Sequence, residues 1–163
     1  MRLICIRWLG LAVGFIAMAC GQKESPRVAV FQVDSDFLPY VSAFERAANE
    51  QGKPIRVNDL IVSFGPTPNL NETGVCEISS DESPRITINQ NIWSFLSPMD
   101  RQQVMFHELG HCVLRRLHKS GVTVQNGASI PSSMMYTHRI PGTTYSAHQG
   151  FYHIELFSTS NEF

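Results

Sequence analysis

The feature that most constrains this chain is the segment His107-Glu108-Leu109-Gly110-His111. If the segment is helical, its two histidines can bind the same metal ion. Residues at i and i+4 lie one helical turn apart on the same face, so the imidazoles of His107 and His111 can both reach one metal ion. Glu108 follows the first histidine, where its carboxylate can act as general base toward a water molecule. The segment therefore predicts a helix that carries a metal site on one face.

A third histidine, His118, follows shortly after this segment. In a continuous helix it would lie about 10 Å further along the axis than His111, and at zinc–nitrogen distances of about 2 Å the two could not share an ion. We therefore predict that the helix ends near Leu114 and that the chain turns back. Arg115-Arg116-Leu117 offers no glycine for that turn. The alternative is a surface histidine favoured at a helix C-terminus by the helix dipole.

The start of the same helix has a clear signal in Ser97-Pro98-Met99-Asp100. It combines a serine N-cap, a proline at the first helical position and an acidic residue three positions after the cap. A glycine such as Gly110 in a helix interior lowers helix stability by about 1 kcal/mol relative to alanine. Its presence therefore indicates that another part of the protein packs closely there or that the metal site must remain accessible. The residues that project away from the histidines, and so predict the core face, are Met105, Leu109, Cys112 and Val113.

The chain before the motif predicts one helix followed by strands. Phe37 to Gln51 has apolar residues at helical spacing, with Pro39 in its first turn and Gly52 at its end. We expect strands where β-branched and apolar residues are concentrated or alternate with polar ones, at Ile55–Phe64, Gly74–Ser79 and Arg85–Asn89. The last of these precedes the helix, and we expect it to form the edge along which a peptide would lie.

Composition limits the function classes. A length of 163 residues favours one domain, and an apolar fraction of 43% with ten phenylalanines is sufficient for a packed core. With 13 basic and 14 acidic residues and no basic run, the chain gives no electrostatic reason to expect nucleic acid as a partner. We expect a monomer.

The first 19 residues have the pattern of an export signal. Arg2 and Arg7 form a positive region, and the apolar run 8–19 is too short to span a bilayer comfortably. The end, Ala17-Met18-Ala19-Cys20, resembles the lipobox of bacterial lipoproteins, although a larger aliphatic residue is more usual at position 17. This resemblance implies lipidation of Cys20 and a place in the bacterial cell envelope. The alternative is an ordinary secretory signal followed by a chance cysteine.

Residues 20–35 are mainly polar, and we interpret them as a tether between the anchor and a domain at 36–163. Within the tether, Val28-Ala29-Val30-Phe31 is apolar and predicts either a strand or a docking segment.

Export changes the interpretation of the cysteines. Cys5 leaves with the signal and Cys20 would carry lipid, so the folded part keeps Cys76 and Cys112. In an oxidising compartment these two are disulfide candidates, with buried free thiols as the alternative. Cys112 is a poor metal ligand here because it lies about 100° around the helix from His111.

The segment His107–His118 resembles the long zinc motif of the metzincin clan of endopeptidases. It departs from that motif in having its third histidine one residue later and Leu114 where a glycine is usual. HELGHCVLRRLH is closer to bacterial metallopeptidases with the pattern HELGHCxLxRxH, in which a strand and a tryptophan (here Ile86–Ile88 and Trp93) precede the helix. A Pro-x-Ser-x-Met-Tyr segment then follows, matched by 131–136. The resemblance covers roughly residues 37–158 and is tightest at 104–118.

This resemblance implies a single α+β domain of zincin or metzincin type, with a small mixed sheet, an active-site helix, a Met-turn and a C-terminal helix at Tyr152–Phe157. It implies Zn²⁺ held by His107, His111 and His118, Glu108 as catalytic base, and a peptide or protein substrate. Met135 is the expected Met-turn residue and Met134 the second choice. Tyr136 or Tyr145 could bond a tetrahedral intermediate, although a packed aromatic is the better interpretation of each.

Two other interpretations remain open at this point. Glu155 would be the third ligand in a gluzincin-type site, against the simpler reading of a solvated or capping carboxylate. The chain could also be a non-catalytic surface lipoprotein that keeps a structural metal or a degenerate site. His138, His148 and His153 are weaker ligand candidates.

Overall fold

A computed structural model describes residues 27–158. The export signal, Cys20 and the first part of the tether lie outside the described residues. Within the described range the chain forms six short strands and five helices, so the α+β class is confirmed. In chain order these are β1 (Phe31–Val33), α1 (Leu38–Glu50), β2 (Leu60–Phe64), β3 (Gly74–Glu77), β4 (Arg85–Ile88), α2 (Gln90–Trp93), α3 (Pro98–Cys112), β5 (Val122–Gln125), β6 (Ala128–Pro131), α4 (Gly142–Ala147) and α5 (Gln149–Ser158).

Four strands form a mixed sheet in the order β1-β2-β4-β3. β1 and β4 both run parallel to β2, with Val62 opposite Val33 on one side and Ile86 on the other. β3 pairs with β4 in the antiparallel sense, with Gly74 opposite Ile88. β4 is thus paired along both edges, and the prediction that its segment forms a free edge is wrong. The edge strand beside α3 is β3.

The core lies between the sheet and the helices, and aromatic side chains fill much of it. Phe44 of α1 contacts Phe106 of α3 and Phe157 of α5 edge to face, with ring centroids 5.4 and 5.0 Å apart. Edge-to-face contacts of this kind stabilise beyond simple burial. Because Phe106 and Leu109 are fully buried, α3 presents its histidines to the opposite side.

The start of α3 is as predicted. Ser97 is the N-cap, its Oγ accepts from the Asp100 N–H at 3.2 Å, and Pro98 opens the helix. The helix of the 37–51 segment is confirmed as α1. By contrast, β2 begins only at Leu60, because the preceding chain bonds to α1 instead, with the Val57 N–H donating to Glu45 Oε1 at 2.8 Å.

Three strands, β1, β5 and β6, appear at segments with no firm prediction of a strand. β1, at 31–33, lies inside the segment interpreted as a tether. β5 and β6 form a hairpin closed by Asn126 and Gly127, both with positive φ. Asn-Gly between alternating residues is a strong hairpin signal that the sequence did carry. None of the helices within residues 27–158 is long and apolar enough to cross a bilayer.

Candidate metal centre

Three imidazoles meet at the mouth of a cleft beside α3. The Nε2 atoms of His107 and His111 are 3.1 Å apart, and each lies 3.2 Å from Nε2 of His118. Nitrogens bound tetrahedrally to zinc at about 2.0–2.1 Å would be about 3.4 Å from one another. The triangle therefore has the size that a small divalent metal ion requires, and the three histidines are close enough to bind one.

Hydrogen bonds fix how two of these rings face the centre. His107 Nδ1 donates to the Met134 carbonyl at 2.9 Å, and His111 Nδ1 donates to the Arg116 carbonyl at 2.6 Å. A neutral imidazole that donates through Nδ1 carries its lone pair on Nε2. The short Nε2–Nε2 separation of His107 and His111 is therefore a convergence of lone pairs rather than a hydrogen bond, and a cation would relieve it.

The electrostatic surroundings favour neutral rings, which is the form that binds metal. Burial lowers the pKa of His107 to about 3, opposed by its bond to Met134. Burial also lowers the pKa of His111, opposed by its bond to the Arg116 carbonyl.

The turn that brings back His118 forms without glycine. α3 ends at Cys112, and Arg115 takes the left-handed conformation with φ of 59°. The N–H groups of Arg115 and Arg116 donate back to the carbonyls of His111 and Gly110 at 3.1 and 3.0 Å. A side chain in this conformation costs roughly 1–2 kcal/mol, so the turn is held by its bonds rather than by local preference.

The nearly buried carboxylate of Glu155 bonds to the residues that orient the histidines, a role that sequence analysis did not assign to it. Glu155 Oε1 accepts from Arg116 Nη2 at 2.7 Å and from Ser133 Oγ at 2.9 Å, and Oε2 accepts from the Met134 N–H at 3.0 Å. Met134 and Arg116 are the residues whose carbonyls orient His107 and His111. Glu155 on α5 thus anchors both, and it is not among the clustered ligand atoms.

Met135 packs against α3 at Gly110. A Cβ atom placed on Gly110 would come within 2.5 Å of its sulfur and 3.3 Å of Leu156 Cδ1. The Met135 carbonyl accepts from the Lys119 N–H at 2.8 Å, which holds the residue after His118. This placement accounts for the glycine inside α3.

The side chain of Glu108 lies against the edge strand β3. Burial raises the pKa of its carboxyl to about 8, the Cys76 N–H lowers it, and the charge of Glu72 raises it. A Cβ on Gly74 would lie 3.0 Å from Glu108 Cγ and 2.9 Å from Ile88 Cδ1. Gly74 is therefore a site residue that sequence reasoning missed, although glycine inside a strand often marks such close approach.

Cys76 and Cys112 form a disulfide, with the sulfurs 2.08 Å apart. It joins β3 to the last residue of α3, next to His111. The bond therefore fixes the edge strand relative to the histidine pair.

The histidines open into a cleft of about 900 Å³. β3 forms one wall. The Thr73 carbonyl accepts from the Asn89 N–H. Because alternate residues of a strand face opposite edges, Val75 and Glu77 bond to β4, and the edge formed by Gly74 and Cys76 pairs with no strand within the described residues. On that edge the Cys76 N–H bonds to the Glu108 carboxylate. The other lining residues are mainly polar or basic and include Arg115, His118, Tyr136, His138 and Arg139.

The remaining sequence candidates lie elsewhere. Tyr145 is fully buried, and its OH lies 2.8 Å from His153 Nε2, so neither faces the cleft. His148 ends α4. His138 lines the cleft and contacts the ring of Tyr136, but it does not belong to the histidine cluster.

Comparison with known proteins identifies no relative: no family model, curated protein or solved structure matches this chain. The interpretation of the site therefore depends on its own geometry.

Proposed function

We propose that this protein is a zinc-dependent peptidase of zincin or metzincin type that hydrolyses peptide bonds. The observation that carries the proposal is the convergence of three Nε2 atoms within 3.1–3.2 Å of one another, two of them with the opposite ring nitrogen bonded to a carbonyl. His107, His111 and His118 would hold the ion. Three protein ligands would be the number typical of catalytic zinc sites, whereas structural sites usually have four.

Zinc, when bound, supplies Lewis acidity that lowers the pKa of a water molecule toward neutrality and polarises a carbonyl. Glu108 would accept the water's proton and pass it to the leaving amine. Its buried position raises its pKa to about 8, so it is a stronger base than an exposed glutamate, and a nearby cation would bring that value down again. Tyr136 lines the cleft and is the better placed of the two tyrosines to donate to the carbonyl oxygen.

The free edge of β3 supports peptide binding beside this centre. An extended peptide could pair with the N–H and C=O groups of Gly74 and with the C=O of Cys76, extending the sheet by one strand. The Cys76 N–H is already bonded to Glu108. That position also lies next to Glu108, whose carboxylate faces the Cys76 N–H. Substrate and base would thus share one wall of the cleft.

The test is cleavage of a fluorogenic peptide library by the purified protein loaded with one equivalent of zinc. We expect Glu108→Gln to keep zinc but lose roughly 10²–10⁴-fold in kcat/KM, because it removes the general base. His118→Ala should lose zinc, whereas His148→Ala, outside the cluster, should keep both zinc and activity.

Cleavage that is unchanged in Glu108→Gln would overturn the proposed mechanism. Stoichiometric zinc without any Glu108-dependent cleavage would instead indicate the competing class, a non-catalytic lipoprotein with a structural metal.

We also propose that the protein is exported and anchored in the bacterial cell envelope through lipid on Cys20. The support is the Arg2–Cys20 pattern, together with a disulfide that is typical of oxidising compartments. Metabolic labelling with a fatty acid, lost in Cys20→Ser, tests it.

A further inference from the structure

Arg115 stands out among the basic residues of the cleft. Of the three arginines that line it, Arg116 is paired with Glu155 and Arg139 with Asp100. Within the described residues Arg115 has no carboxylate partner, and its Nη1 is buried without a hydrogen bond. Arg115 is only partly exposed and lines the cleft. An anion that paired with its guanidinium there would therefore meet a partly desolvated charge with no carboxylate partner within the described residues.

Arg115 lines the same cleft as the three histidines. It lies in the turn between His111 and His118, and its N–H donates to the His111 carbonyl at 3.1 Å. Its φ of 59° is a conformation that glycine or asparagine would adopt at lower cost. Local backbone preference therefore does not account for an arginine at this position.

The charges that line the cleft give the sign of a ligand group that would bind at Arg115. The lining residues include Arg115 as well as the carboxyl residues Glu72 and Glu108. An anionic group would be attracted to the guanidinium of Arg115. The planar fork of a guanidinium matches a carboxylate with two parallel hydrogen bonds.

We propose that Arg115 binds a carboxylate of the substrate and so directs the site toward acidic peptides. This inference rests on the proposed function for its catalytic readout. The carboxylate has two sources, an aspartate or glutamate side chain near the scissile bond or the free C-terminus of the peptide. The first makes the protein an endopeptidase with acidic preference, and the second makes it a carboxypeptidase.

The experiment compares matched peptides that have glutamate or glutamine beside the cleaved bond, each with a free or an amidated C-terminus. Wild-type protein should cleave the peptide bearing the recognised carboxylate about ten- to a hundredfold better in kcat/KM than its amide counterpart, as expected of a charge-assisted hydrogen bond. Loss on Glu→Gln identifies the side chain, and loss on amidation identifies the C-terminus.

Arg115→Gly is the informative variant, because it removes the guanidinium while relieving the backbone. It should fold at least as well as wild type by thermal unfolding, yet show no preference between carboxylate and amide peptides. Arg115→Lys keeps the charge without the fork and should keep part of the preference. Arg46→Gln, on the exposed face of α1, is the control and should behave as wild type.

Binding provides a readout that does not depend on turnover. The same peptides, labelled with a fluorophore, are titrated against Glu108→Gln protein and against the Glu108→Gln/Arg115→Gly double variant, with affinity measured by anisotropy. If no peptide is cleaved, the proposed function fails and this titration alone decides the inference. Equal affinity for carboxylate and amide peptides, or a preference that survives Arg115→Gly, overturns the role of Arg115.

Discussion

Two glycines in helices, Gly110 and Gly150, differ in the space that surrounds them. Gly110 faces the sulfur of Met135 across a gap that has no room for a methyl group, whereas a Cβ on Gly150 would meet nothing within 4 Å. Both positions have ordinary helical φ. The same substitution should therefore have opposite effects on stability at the two sites.

We predict that Gly110→Ala lowers the free energy of unfolding by about 1–3 kcal/mol, because overpacking against Met135 outweighs the gain in helix propensity. Gly150→Ala should raise it by roughly 0.5 kcal/mol through the propensity term alone. Urea unfolding of both variants measures this. Stabilisation of similar size in both would show that Met135 moves aside at no cost and does not constrain α3.

At the scale of elements, a buried ion pair between Arg116 and Glu155 links α5 to the candidate metal centre. Arg116 and Glu155 have side chains only 3% and 11% exposed, and the arginine also donates to the carbonyls of Glu155 and Leu156. Breaking a buried pair leaves an uncompensated charge, which is far more costly than losing an exposed one. The pair between Arg56 and Glu45, with Arg56 88% exposed, is a matched comparison.

Arg116→Gln is expected to destabilise the protein by about 3 kcal/mol, because it leaves the buried Glu155 carboxylate without its partner. It should also weaken zinc binding roughly ten- to a hundredfold, which is the usual effect of removing a group that helps to orient metal ligands. Arg56→Gln should cost below about 1 kcal/mol and leave zinc affinity unchanged. Thermal unfolding and competition with a chromophoric chelator measure the two effects. Wild-type zinc affinity in Arg116→Gln would mean that the carbonyl of residue 116 needs no support from α5.

The elements that could be predicted from sequence are those governed by local chemistry. α3 begins at Ser97 because a cap and a proline suffice to specify a helix start, and α1 follows its apolar spacing. The order of strands could not be predicted in this way, since β4 became central only through pairing with both β2 and β3. Strand pairing depends on contacts between distant segments, which periodicity does not encode.

The candidate metal site also has one part that could be predicted from sequence and one part that could not. The placement of His107 and His111 follows from helical spacing. The return of His118 depends on Arg115 in a left-handed conformation, held by bonds to His111 and Gly110, and no residue type in the turn signals it. The role of Glu155 was hidden for a similar reason, because its partners Arg116 and Met134 come from two other parts of the chain.

On the scale of the whole molecule, the disulfide is the covalent link between the sheet and the metal-site helix. It closes a loop of 36 positions between β3 and α3. In the chain-entropy account, a loop of this length contributes about 4 kcal/mol by restricting the unfolded chain, and measured values are commonly about 2–4.

Reduction should therefore lower the free energy of unfolding by about 2–4 kcal/mol, seen as an earlier urea midpoint in the presence of a thiol. The double variant Cys76→Ser/Cys112→Ser is the control. It should unfold at the lower midpoint and show no response to thiol. Coincident midpoints for oxidised and reduced wild-type protein would argue that the bond adds nothing to global stability.

The closeness of the three histidines in the sequence bears on which ion the candidate site would bind. His107 and His118 are only 11 positions apart, so a chain that has formed little more than α3 and its turn already presents all three imidazoles. The parallel pairing of β1, β2 and β4 needs longer loops to close and forms more slowly. Imidazole nitrogens bind copper more tightly than zinc, so the metal supply at the moment of folding, and not affinity alone, would decide which ion enters.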